Sequence, residues 1–120
     1  MSRLVLIAED DAATLEGLAV LLHSAGLIVL PVSSFAEAHR LMRFVRPDVI
    51  VADIRLGEYN GLQLVAQAGT LDPRPAVIVT TGFEDPVLAA EAERMGATYL
   101  RKPIQPEKLL ALISELARPW

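Results

Sequence analysis

Five short apolar runs alternate with five helix-like stretches along this chain, and that rhythm limits the fold more than any single motif does. The runs fall at residues 4–8, 27–30, 48–53, 76–81 and 97–100. Solid apolar runs rich in β-branched residues read as strands buried on both faces. The intervening stretches, at 12–25, 34–45, 61–69, 86–95 and 106–117, carry apolar residues at three- and four-residue steps. Parallel neighbours can be joined only by a crossover, and a helix between every pair of strands supplies it. The chain is therefore expected to be α/β: one doubly wound five-stranded parallel sheet with five helices on its two faces. Pro31 lies at the end of the second run, and the fifth run is brief; both features suit sheet edges. The expected strand order is 2-1-3-4-5, in a single domain over residues 1–120.

Local signals agree with this division. Asp11 is placed to cap the first helix and Gly26 to end it. Ser34 with Glu37 three residues on fits a capping box. Asp85-Pro86 is an N-cap followed by proline at the first helical position, and Gly96 stops that helix. Residues 54–61 and 72–75 read as loops.

Several function classes are excluded by composition. There is no cysteine, so disulfides, thiolate chemistry and Cys-zinc sites are ruled out. A net charge of −4 argues against a direct nucleic-acid surface. No signal-peptide pattern or membrane-length apolar run is present, so a cytoplasmic protein without membrane contact is expected. No G-x-G-x-x-G follows the first strand, which disfavours a dinucleotide enzyme.

In doubly wound sheets ligands bind at the carboxyl ends of the strands, near the point where strand order reverses. Glu9 and Asp10 follow the first strand, Asp53 ends the third, Thr81 ends the fourth and Lys102 follows the fifth. Taken singly, each has a commonplace explanation: acids at a helix start, a strand-end hydroxyl, a solvated lysine. Their convergence on one rim is much harder to explain that way. Carboxylates about 4 Å apart repel by roughly 4 kcal/mol at an effective dielectric near 20. A divalent cation removes that cost, and an all-oxygen donor set favours Mg²⁺ or Mn²⁺. A cation that keeps waters and accepts phosphate oxygens belongs to phosphoryl transfer. One carboxylate, Asp53, can then be the nucleophile and form an aspartyl phosphate, with Thr81 and Lys102 binding phosphoryl oxygens.

With Glu9-Asp10, Asp53 followed by Gly61 eight residues on, Thr81-Gly82 and Tyr99-Leu100-Arg101-Lys102-Pro103, the chain resembles a response-regulator receiver domain of two-component signalling. The resemblance spans residues 4–117 and implies a flavodoxin-like (CheY-like) fold. It implies that Asp53 accepts phosphate from a histidine kinase or a phosphotransfer protein. It implies a metal held by Asp10, Asp53 and the backbone carbonyl of Arg55, with Glu9 assisting. It makes Thr81 and Lys102 phosphoryl-binding residues, and Thr81 with Tyr99 a switch pair. The output face would be the fourth helix, fifth strand and fifth helix, docking an output domain or partner protein or a second copy after phosphorylation. Three positions depart from or vary within the pattern: Gly57 replaces the usual proline, and Arg55 and Phe83 occupy the two variable positions flanking the site. Neither Arg55 nor Phe83 can act as base toward water, so a long-lived phosphorylated form is expected.

Two rivals share these residues. A phosphorylation-independent interaction module on the same fold would most naturally have lost Asp53 or Lys102, and both are present. A stand-alone phosphatase with an aspartyl nucleophile wants a second acid two residues on, where this chain has Arg55. The expectation is a signalling domain rather than an enzyme, one that assists its own phosphoryl transfer and dephosphorylation.

Overall fold

The computed structural model describes residues 3–56, 59–82 and 86–117, with Tyr59 and Asn60 as backbone only. Five strands form the main sheet: β1 (Leu4–Ala8), β2 (Ile28–Val32), β3 (Val49–Asp53), β6 (Ala76–Thr81) and β7 (Thr98–Arg101). All neighbours are parallel and the order is β2-β1-β3-β6-β7, which is the expected 2-1-3-4-5 once the sheet strands alone are counted. The remaining two strands, β4 (Arg55–Leu56) and β5 (Tyr59–Asn60), form a small antiparallel ribbon directly after β3. The sequence reads as a loop there, because two-residue strands are too short to show a period of two. The helices are α1 (Ala12–Ser24), α2 (Phe35–Leu41), α3 (Leu62–Ala68), α4 (Pro86–Arg94) and α5 (Pro106–Leu116).

Side chains alternate across the sheet and sort the core into two layers. Val5, Ile7, Val49, Val51 and Ile78 pack against Leu22 of α1 and Leu109 and Ile113 of α5. Leu6, Ala8, Ile50, Ala52, Val77 and Val79 pack against α2, α3 and α4 through Ala38, Leu64, Val65, Ala68 and Ala92. β1, β3 and β6 are covered on both faces, which is why their sequences are apolar throughout rather than alternating. Each fully buried Leu or Ile in these layers contributes about 1.5–3 kcal/mol of burial free energy.

Two expected boundaries move. Pro31 lies inside β2 opposite Ile7, not after it. β2 is an edge strand, and its unpaired side tolerates the missing N–H. The second helix ends at Leu41 rather than near residue 45. Arg46 Nη1 reaches back to Met42 O (2.9 Å) and Val45 O (3.3 Å), and Pro47 disfavours helical backbone just before it.

The helix ends follow the local signals. Asp11 Oδ2 accepts from Thr14 N (2.9 Å) and Thr14 Oγ1 (2.6 Å), which also holds the Asp11 carboxyl below its ordinary pKa. Ser34 Oγ accepts from Glu37 N (3.1 Å), while the Glu37 carboxylate reaches one residue earlier than a standard box, to Ser33 N (3.1 Å). Gly96 has φ +96°, the left-handed cap conformation that other residues rarely adopt. The expected cap at Asp85 lies outside the described residues. No helix among the described residues is long and apolar enough to cross a membrane.

Candidate functional site

Four strands of the sheet deliver side chains to the same rim. β1 ends at Ala8, and the Glu9 N–H donates to Val32 O (3.1 Å), so Glu9 stays in line with the sheet instead of turning out. Its side chain is buried, with the residue 2% exposed. β3 ends at Asp53, whose side chain is 12% exposed. The chain then folds back on that carboxylate: Arg55 N donates to Asp53 Oδ1 at 3.0 Å. Ile54 N bonds Thr80 O and Gly61 N bonds Ile54 O, both at 2.7 Å, which closes the loop against the sheet.

Gly61 is required here by space rather than by φ, which is an ordinary −66°. A Cβ at this position would lie 2.6 Å from Asp53 O and 3.2 Å from Ile54 Cα. Any side chain would push on the backbone that aims Asp53. The sequence shows the eight-residue spacing but not this reason for it.

Lys102 is fixed from the other side of the sheet by its own N–H, which donates to Thr81 O at 2.7 Å. Its Nζ lies 2.7 Å from Glu9 Oε1 and 2.8 Å from Asp53 Oδ2. One ammonium therefore bridges two carboxylates from different strands. Burial pushes the Glu9 carboxyl up to about 7, with Lys102 pulling the other way and Asp53 adding to the rise. Burial alone would lower the Lys102 pKa, but the bonds to Asp53 and Glu9 win, and the net direction is up. The sequence places Glu9 and Lys102 on one rim without indicating that they bond directly.

Asp10 is exposed, and Glu9, Asp10 and Asp53 each offer an oxygen, all within 4.8 Å of one another. This donor set is hard, acidic and all-oxygen, and it fits Mg²⁺ or Mn²⁺. Asp11, the third acid of the run, is occupied with its helix cap.

Thr81 closes β6 and is buried, and by strand alternation it shares the α4-side face with Val77 and Val79. Tyr99 pairs in register with Val79, and by alternation from Ala97 it lies on the same face, half-buried. The two are thus near neighbours on one side of adjacent strands. Arg55 is exposed at the rim. Gly57 and Phe83 lie outside the described residues.

Chemically, the rim offers a carboxylate nucleophile beside a fixed ammonium, an adjoining acid cluster and a strand-end hydroxyl. Sequence comparison bears on this arrangement. The response regulator receiver domain family matches residues 5–114. The transcriptional regulatory protein FixJ of Azorhizobium caulinodans is 36% identical over 108 residues, covering 89% of this chain and 51% of that protein. The positive alginate biosynthesis regulatory protein of Pseudomonas aeruginosa is 34% identical over 119 residues, covering 96% of this chain and 47% of that protein. The chain thus spans about half the length of these relatives, and only 25% of the transcriptional regulatory protein GlrR of Escherichia coli, to which it is 29% identical. A crystal structure of a CheY-like receiver domain from Methanospirillum hungatei superposes with a TM-score of 0.92 at 26% identity, covering 98% of this chain and 94% of that one. One from Clostridium thermocellum gives 0.89 at 29% identity, covering 96% and 94%. Fold, rim and sequence agree, and the chain belongs to the response regulator receiver domain family.

Proposed function

We propose that this domain is the cytoplasmic phosphoacceptor of a two-component relay, with Asp53 taking the phosphoryl group from a histidine kinase or phosphotransfer protein. The observation that carries this reading is the bridged triad: Lys102 Nζ at 2.7 Å from Glu9 and 2.8 Å from Asp53, on the carboxyl rim of the sheet. The Asp53 carboxylate attacks phosphorus as the donor's phosphorus–nitrogen bond breaks, and the leaving imidazole keeps the bonding pair and picks up a proton. Lys102 then follows the new negative charge onto a phosphoryl oxygen, as a point charge on a flexible stem. Thr81 supplies a hydroxyl to another. Asp10, Asp53 and the Arg55 carbonyl, with Glu9 alongside, would hold the Mg²⁺ or Mn²⁺ that neutralises the transferring group's charge. The domain acts as a switch, not as an enzyme with a diffusing substrate. Incubation with a small phosphodonor and Mg²⁺ should add one phosphoryl group by intact mass, and Asp53→Asn should add none.

Metal affinity should depend on Asp10 far more than on Asp11. Asp10 belongs to the oxygen cluster, whereas Asp11 caps α1 through Thr14. Calorimetric titration of Mg²⁺ should show at least a tenfold loss in Asp10→Asn, about 1.4 kcal/mol, and little change in Asp11→Asn, since asparagine also caps well. Equal losses in the two variants would refute this division.

Phosphorylation should shift a pre-existing equilibrium at the face made by α4, β7 and α5, through Thr81 and Tyr99. Drawing the Thr81 hydroxyl toward the phosphoryl group opens space on the face it shares with Tyr99. A shift from 1:99 to 99:1 needs about 5.5 kcal/mol of differential binding, too much for one contact and reasonable for several charge-assisted ones. Thr81→Ala should still be phosphorylated but should give smaller amide shifts in β7 and α5 by NMR. Shifts equal to the parent's would contradict the role. The switched face would dock an output domain, a partner protein or a second copy of the domain.

A further inference from the structure

The helices of this fold run opposite to the strands, so their carboxyl ends gather at the pole away from Asp53. Orphan carbonyls and the negative ends of the helix dipoles collect there. Arg74, in the connection from α3 to β6, reaches into this region. Its Nη2 donates to Met95 O at 2.8 Å, just past α4. The backbone bonds that close α4 use the carbonyls of Glu91, Ala92 and Glu93, so the Arg74 contact takes one they leave over. The same nitrogen lies 3.1 Å from where a Cβ on Gly96 would sit and 3.5 Å from where one on Gly69 would sit. The guanidinium is therefore seated between the ends of α3 and α4, in space kept clear by the two glycines.

The opposite end of α4 is held differently. Pro86 and Val87 are exposed, Val87 at 76%, and Leu88 is only partly buried. The one fully buried residue of α4, Ala92, lies in its second half. Core packing and the Arg74 contact thus both anchor the end of the helix remote from the phosphorylation rim.

We propose that Arg74 is a positioning residue that pins the carboxyl end of α4 to the α3–β6 connection, so that displacement of α4 on phosphorylation is confined to its amino end. The second half of this statement rests on the phosphoacceptor reading above; the first half does not. Arg74 is exposed and lies at the opposite pole from Asp53, so its replacement leaves the fold and the acceptor chemistry in place.

Hydrogen exchange by mass spectrometry on the full chain tests both halves, with the parent, Arg74→Ala and Arg74→Lys compared before and after phosphodonor and Mg²⁺. Before phosphorylation, amides at 91–97 should exchange about fivefold faster in Arg74→Ala, the loss expected for one exposed charge-assisted bond. Arg74→Lys should recover most of the protection, because a single ammonium can still donate to Met95 O. After phosphorylation, the change within α4 should be limited to 86–90 in the parent and should extend through 91–95 in Arg74→Ala. Exchange at 91–97 that is equal in parent and Arg74→Ala overturns the pin. A parent response already reaching residue 95 overturns the confinement. Intact mass on the same samples separates these outcomes from a failure of phosphorylation itself: without phosphate uptake the acceptor reading and the confinement fall, while the first comparison still decides the pin.

Discussion

Lys102→Met should slow phosphorylation by a small phosphodonor by about 10²–10³-fold, the loss typical for one preorganised charge aimed at a transferring group. The ammonium is held at 2.8 Å from Asp53 Oδ2 by a backbone bond to Thr81 and by Glu9, so it is in place before the phosphoryl group arrives. Methionine keeps much of the stem's packing and removes the charge. Stability should change with a particular pH dependence. In the parent, burial raises Glu9 from its ordinary 4.5 to about 7. A carboxyl raised in the folded state favours folding while protonated, and that contribution is lost as pH rises from about 4.5 through 7. Without Lys102, the largest downward influence on Glu9 is gone, its pKa moves further up, and two carboxylates face each other unbridged. Urea unfolding should therefore show Lys102→Met losing about 1–3 kcal/mol at pH 8 and distinctly less at pH 5, the cost of leaving buried carboxylates without their partner. Mg²⁺ should recover part of the loss at pH 8. A pH-independent loss, or none, would show that Lys102 is not the group that reconciles Glu9 with Asp53.

What the sequence makes legible here follows from periodicity and topology. The solid apolar runs of β1, β3 and β6 mark strands covered on both faces, and their alternation with helices leaves few strand orders. Once the order is set, the ends of β1, β3, β6 and β7 meet, and Glu9, Asp53, Thr81 and Lys102 come with them. The pairings within that rim are a different matter. Glu9 and Lys102 are 93 residues apart, and no local pattern announces a bond between them. The Arg74 contact is equally silent, since a loop arginine between two prolines looks the same whether or not a helix end lies within reach. Gly61 stands between these cases: its spacing from Asp53 is visible in the sequence, but the 2.6 Å approach that demands glycine exists only in the folded chain. Pro31 already marks the second strand as an edge in the sequence, but only the assembled sheet shows that the proline lies inside β2, opposite Ile7.

The largest effect of all should come from Asp53→Asn. Asparagine has nearly the same shape, and its amide oxygen can still accept from Arg55 N as Asp53 Oδ1 does. The amide nitrogen that takes the place of Asp53 Oδ2 only donates, so Lys102 Nζ loses that contact and keeps its bond to Glu9 Oε1. The fold should therefore survive while the nucleophilic carboxylate is lost, and a neutral amide does not form the acyl phosphate. Intact mass after incubation with phosphodonor and excess Mg²⁺ reads this directly. The parent should gain a single phosphoryl group, lost again at alkaline pH as acyl phosphates are, and Asp53→Asn should stay at the mass of the untreated protein. Equal phosphate uptake in the two proteins, or none in the parent, would contradict Asp53 as the phosphoacceptor.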